Sequence, residues 1–226
     1  MSHLLDIYLQ PGKVFAALKD KPTFLVPLLL TIVVSVVMVA VYFAQVDGPW
    51  LIERMLAANP EATAKEIEQA RKVMPGAQVM GYISMASIAV LAILVTLVIA
   101  LYYWIAGKIA GHALSFRHGL SLTAWSGMPT LLGSIVGLVG AITMTPQTSL
   151  ESLQMLNIDP LLVELPMDHA WSRFAKSFSL LMLWTIGLAA LGWRTWFRTG
   201  WVQAMFVAAL PYLVWFGGLA IAALLK

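Results

Sequence analysis

The pairing in this sequence that comes nearest to a nucleophile and its base is Ser126-Gly127 with His112 upstream. A serine attacks only when a base takes its proton and a third group orients that base. No carboxylate accompanies His112, and the Gly-x-Ser-x-Gly elbow is missing. His112 and His118 lack the spacing and the glutamate of a His-Glu-x-x-His zinc helix, and His3 and His169 have less context still. With no cysteine, thiolate metal sites, iron-sulfur clusters, a cysteine nucleophile and a disulfide framework are excluded. Glycine-rich phosphate loops and dinucleotide fingerprints are absent as well. The chain is therefore expected to hold no catalytic, metal or cofactor site and not to be an enzyme.

What polar chemistry remains lies inside apolar stretches. Ser126, Thr130, Ser134 and Gln203 could line a groove framed by kinks at Pro129 and Pro211, because a proline removes one backbone donor and strains the helix a turn earlier. Ser126 or a neighbouring helix would then satisfy the freed carbonyl. Gly133 and Gly137 form a small-xxx-small pair with Gly140 beyond it. A helix face stripped of side chains admits a second backbone closely, which is how helices associate in lipid. Packing within one chain is the expectation, with self-association of the chain as the alternative.

The elements that carry these residues follow from composition. Of 226 residues 60% are hydrophobic and 11% charged, against roughly 25% charged in an ordinary soluble domain. Such a chain needs lipid as part of its solvent. Roughly 20 uninterrupted apolar residues cross a hydrocarbon layer about 30 Å thick, and residues 24–46, 79–107, 120–145, 177–193 and 200–225 meet or approach that length without Asp, Glu, Lys, Arg or His. The first stretch exceeds a signal-peptide core and lacks a cleavage pattern after it, so it reads as a retained span. The expectation is an all-α, polytopic bundle of five transmembrane helices forming one domain over 1–226. Tyr102, Tyr103 and Trp104 read as an interfacial aromatic belt, and Asp168 as the N-cap of an entry turn into the fourth span.

Short and long connections alternate between the spans. The N-terminal segment carries Lys13, Lys19 and Lys21, and the short loops carry Lys108, Arg117, Arg194 and Arg198. Positive residues gather on the cytoplasmic side, so the N-terminus is expected inside and the C-terminus outside, and these seven residues are expected to touch the membrane surface. The basic residues form no single stripe, which argues against nucleic acid. Residues 1–23, with Leu4, Leu5, Tyr8, Val14, Phe15 and Leu18 on an apolar side, read as an interfacial segment or an ordinary helical lead-in. In the first long loop Asn59 and Pro60 predict a helix start, with Glu61–Lys65 and Glu68–Lys72 pairs, an inward face of Ile67, Ala70 and Met74, and a stop at Pro75-Gly76. The second long loop is expected to hold two short helical pieces and a solvated acidic set, Glu151, Asp159, Glu164 and Asp168.

Two stretches carry a family likeness. Residues 10–18, Gln10-Pro11-Gly12-Lys13-Val14-Phe15-Ala16-Ala17-Leu18, run through Lys21-Pro22 into the first span; residues 111–122 lead into Ala124-Trp125-Ser126-Gly127-Met128-Pro129. Both resemble bacterial members of the Yip family, the Ypt-interacting-protein membrane domain. The resemblance implies a five-helix membrane domain with its N-terminus inside. Eukaryotic members bind Rab-type GTPases through a long N-terminal region; with 23 residues before the first span, that binding is not expected here. The leading expectation is a non-enzymatic scaffold of the bacterial inner membrane that contacts another membrane protein or anionic lipid. The alternative is a transporter, channel or lipid-translocating protein.

Overall fold

The computed structural model describes residues 2–57, 62–112, 114–163, 165–166 and 169–225. The chain is helical throughout: α1 (Ser2–Leu9), α2 (Pro11–Asp20), α3 (Leu25–Gln45), α4 (Gly48–Ala57), α5 (Ala64–Val73), α6 (Ala77–Ile109), α7 (Phe116–Ser126), α8 (Met128–Thr143), a 3-10 turn at Glu151–Leu153, α9 (Ile158–Leu161), α10 (Ser172–Ser177), α11 (Leu180–Phe197) and α12 (Trp201–Leu224). No strand occurs among the described residues. Five helical stretches are long and apolar enough to cross a membrane: α3, α6, α7 with α8, α11 and α12. Val90, Leu94, Val98 and Leu101 on α6 are exposed, as a helix solvated by acyl chains requires.

The span limits move at three places. The third span opens at Phe116, so Arg117 and His118 ride on α7. The fourth begins at Leu180 and runs past Arg194 to Phe197. Arg194 stays in the helix because its guanidinium lies over the Trp201 ring, 4.8 Å from the centroid, a favourable cation–π placement at an exposed helix end. Ahead of α11, α10 takes up most of the expected entry turn, and an extended break at Phe178 and Ser179, where Ser179 bridges to Asn157, separates it from the span; Asp168 and Glu164 lie outside the described residues.

By contacts the residues fall into two compact units, each gathered from separate stretches. The first comprises Met1–Val33, Val90–Leu132 and Leu180–Gly218; the second comprises Val34–Ala89, Gly133–Ser179 and Leu219–Lys226.

The first unit is organised around α2 and α11. Val14, Phe15 and Leu18 are buried on α2, and Ile7 is buried on α1, so the apolar side of the N-terminal segment meets protein. Amphipathic spacing identifies a face, and on α2 that face is covered by α11 and α7. Leu5 remains exposed. Buried donors close the packing. The Trp196 indole donates to the Phe15 carbonyl at 2.7 Å, the Trp125 indole to the Thr23 carbonyl at 2.8 Å, and the Tyr8 hydroxyl to the Met128 carbonyl at 2.7 Å. Burial pushes the Tyr8 phenol above its usual value. The closest approach is at Gly119, where a Cβ would collide with the Ala100 carbonyl oxygen; only glycine lets α7 and α6 meet backbone to backbone.

The second unit has a core of Tyr42, Val46, Leu51, Ala141 and Leu153. The Gln45 amide donates to the Ala141 carbonyl at 3.0 Å, and the Tyr42 hydroxyl to the Thr148 carbonyl at 3.2 Å. Helix α4, unforeseen in the sequence, fills the start of the first long loop. Helix α5 begins at Ala64, with Thr63 and Glu66 forming a reciprocal capping box; residues 58–61, including Asn59, Pro60 and Glu61, lie outside the described residues. Its end agrees with the reading, since Met74 caps and Pro75 follows. Ile67, Ala70 and Met74 are half-buried, and the Glu68–Lys72 pair stands at 2.7 Å. Asp159 departs from the solvated acidic set: it is buried, and its carboxylate accepts the Leu165 amide at 2.6 Å.

Candidate functional site

In the first unit a cavity of about 210 Å³ is lined by hydroxyl-bearing residues from α3, α6, α7, α8, α11 and α12, with apolar walls such as Leu28, Ile32, Val95 and Ile99. It lies at the break between α7 and α8. Pro129 takes the second position of α8, where its missing N–H costs no helical bond, and Gly127 turns the chain while its amide donates to the Thr123 carbonyl at 3.0 Å. The break thus restarts a helix where a kink within one was expected.

Six Ser and Thr hydroxyls border this cavity, and each donates to its own helix. Thr31 bonds the Pro27 carbonyl at 2.9 Å, Thr96 that of Ala92 at 2.7 Å, and Thr123 that of Gly119 at 2.9 Å. Ser126 donates to the Thr123 carbonyl at 3.2 Å, Thr130 to that of Gly127 at 2.7 Å, and Thr185 to that of Leu181 at 3.1 Å. Back-bonding of this kind is how short polar side chains settle in apolar helices.

The groove residues singled out from sequence separate. Ser126 and Thr130 line the cavity together. Ser134 belongs to the second unit, with its hydroxyl 2.8 Å from that of Ser35, and Gln203 is exposed on α12 outside the lining. Pro211 sits inside α12 and orphans the carbonyl one turn back, that of Val207; the Tyr102 hydroxyl donates to it at 2.8 Å. Trp104 donates to the Leu114 carbonyl at 3.1 Å, and Tyr103 is buried. The aromatic run therefore serves protein backbone and cavity wall. Tyr103, expected from sequence in an aromatic belt, and Tyr212, which apolar neighbours left without polar context there, both line the cavity.

The glycine face lies in the second unit. Gly137 is buried with Met38 against it, so that a Cβ would stand 2.5 Å from the Met38 sulfur, and Gly140 faces Leu153. Gly133 is half-buried.

The basic residues have mixed roles. The Lys19 ammonium donates to the Trp196 carbonyl at 2.8 Å, capping the end of α11, and its side chain stays exposed. His118 bridges the Lys19 carbonyl at 3.1 Å and the Ser115 hydroxyl at 2.8 Å. Those contacts gather the N-terminal segment and both short loops within the first unit. Lys108 stacks on the Trp104 ring at 4.1 Å, and Arg198 takes a left-handed φ of 54° as it ends α11. Lys13, Lys21, Arg117 and Arg198 are exposed. His112 stacks on Phe197 with centroids 4.2 Å apart, and no hydrogen bond joins Ser126 to a histidine among the described residues.

In the second unit a groove of about 800 Å³ is walled by Tyr42, Phe43, Met55, Met74, Met80 and Ile83, with Arg54 and Glu151 among its few charged residues. Its wall helices are tied by the Arg71–Glu53 pair at 2.9 Å. Methionines give such a surface adaptability, since an unbranched thioether repacks easily.

No curated protein and no solved structure matches this sequence. The family model described as the Yip1 domain matches residues 5–223. With five apolar helices and a match over nearly the whole length, the chain is a multi-pass membrane protein belonging to the Yip1 domain family.

Proposed function

We propose that this protein is a non-enzymatic scaffold of the bacterial inner membrane, and that the methionine-walled groove of its second unit receives an apolar helix of another membrane protein. The observation that carries the reading is the groove itself: about 800 Å³, apolar, and bordered by one cation and one anion, Arg54 and Glu151. An amphipathic helix laid into an apolar groove is a recurrent mode of recognition, and paired opposite charges at its border would fix the direction of the incoming helix. A cytoplasmic N-terminus is supported by the seven basic residues of the N-terminal segment and short loops. The exposed Lys13, Lys21, Arg117 and Arg198 would then attract anionic headgroups.

Photo-crosslinkers placed at Met55 or Met80 in native membranes test this. A single protein adduct that disappears when Met74→Arg charges the groove is the expected result, and an adduct of twice the chain's mass would assign the occupant as a second copy. A chain that crosslinks only to lipid, and that moves a solute when purified into vesicles, would favour the transport alternative. That alternative draws on the hydroxyl-bordered cavity, to which Ser126 and Thr130 contribute but Ser134 and Gln203 do not.

A further inference from the structure

We propose that the cavity of the first unit binds the glycerol end of an uncharged glycerolipid, of the diacylglycerol class, drawn from the surrounding bilayer. This goes beyond the scaffold reading and shares no residue with the groove of the second unit.

Charge comes first. The lining contains no Asp, Glu, Lys, Arg or His, so a phosphate or ammonium would enter a membrane-embedded space without a counter-charge, which is strongly disfavoured. The ligand must be neutral. Hydrogen-bond sense comes second: the hydroxyls of Thr31, Thr96, Thr123, Ser126 and Thr185 already donate along their own helices, so what remains to them is acceptor capacity. A ligand has to bring an O–H.

Tyr103 and Tyr212 supply the converse. Tyr103 is 2% exposed and lines the cavity, and neither phenol has a hydrogen-bond partner among the described residues. Buried phenols normally find one, and an ester carbonyl would serve. A free hydroxyl and ester carbonyls on one short frame, attached to apolar chains, define a diacylglycerol. Size agrees, because about 210 Å³ falls below the roughly 300–1,000 Å³ of pockets that enclose a whole drug-sized ligand. It admits the glycerol and ester groups and leaves the acyl chains outside. Val95 and Thr130 border the cavity and are also exposed at the surface, which gives those chains an exit toward lipid.

The test reconstitutes the full chain in phosphatidylcholine vesicles carrying a photoactivatable diacylglycerol, with adducts mapped by mass spectrometry. Labelling is expected on peptides bearing Tyr103, Thr130 or Tyr212; unlabelled diacylglycerol should compete, and phosphatidic acid with the same chains should not. Tyr103→Phe should lower labelling about fivefold to tenfold, the worth of one hydrogen bond, at an unchanged unfolding midpoint. Tyr212→Phe is the second variant should the first fail to fold. Adducts spread evenly along the apolar helices, equal competition by phosphatidic acid, labelling indifferent to both variants, or no adduct at all would each overturn the assignment, the last meaning a space filled by water alone.

Discussion

In the first unit, large side chains end their polar hydrogens on distant backbone carbonyls: Trp196 on Phe15, Trp125 on Thr23, Tyr102 on Val207 and Tyr8 on Met128. The second unit has such bonds from Gln45, Tyr42 and Asn157, while its groove helices α4 and α5 are joined by an ion pair whose side chains are more than half exposed. Exposed pairs contribute about 0–1 kcal/mol, whereas stripping a buried carbonyl of its donor costs about 1–3 kcal/mol. The small cavity therefore has fixed walls and the large groove has walls that can shift. A neutral headgroup with directional bonds suits the first, and a protein helix that needs some repacking suits the second.

The sharpest way to break this contrast uses two glycines. Gly119→Ala would drive a methyl into the Ala100 carbonyl, where neither backbone can retreat, and the expected loss is about 3 kcal/mol. Gly137→Ala would press on the tip of Met38, a flexible side chain, and should cost less than about 1 kcal/mol. Thermal unfolding of the purified chain in detergent checks both; equal losses would erase the distinction between fixed and adaptable walls.

A second measurement isolates the donor that compensates Pro211. Tyr102→Phe leaves the Val207 carbonyl bare and should destabilise the chain by about 1–2 kcal/mol. Pro211→Ala returns a backbone N–H to that carbonyl, so the same phenol deletion should then cost little, giving a coupling of about 1 kcal/mol in a double-mutant cycle. Strict additivity would mean that the bond does not serve the proline.

The smallest effect concerns α5. Hydrogen bonds from the Thr63 hydroxyl and amide hold the Glu66 carboxyl below the usual glutamate range. A carboxylate with a depressed folded-state pKa contributes stability above its ordinary value and loses it as pH falls through the lowered one. Amide protection in the first turn of α5 should accordingly decline in acid, and Thr63→Ala should abolish that decline. Hydrogen exchange across the acid range reads it; protection unchanged down to the lowest pH would remove the capping box from the account of how this wall is held.

The five spans were legible because long uncharged runs admit few other solutions. Their ends were less so: Arg194 looked like the close of the fourth span, yet the Trp201 ring that holds its guanidinium is a tertiary partner that hydropathy does not contain. Residues 1–23 teach the same point. Their apolar spacing was plain, but whether lipid or α11 covers Val14, Phe15 and Leu18 depends on where residues far along the chain fold. At the site, Ser126 and Thr130 were visible as hydroxyls one turn apart next to a proline. Tyr103 and Tyr212 were not, since a phenol in an apolar helix looks the same whether it meets headgroups, backbone or a cavity. Gly119 lay in a family-like stretch, four residues from both Ser115 and Thr123, but the sequence placed it at the end of a loop, so its close approach went unremarked.

The bond from Trp196 to Phe15 joins residues 181 positions apart, and that separation sets a schedule. Ribosomes deliver a chain from its N-terminus, so α2 emerges well before Trp196, whose indole and carbonyl fasten it. Helix α2 is translated well before it is secured, and until α11 arrives its apolar face needs a temporary cover from the insertion machinery, a chaperone or the bilayer itself.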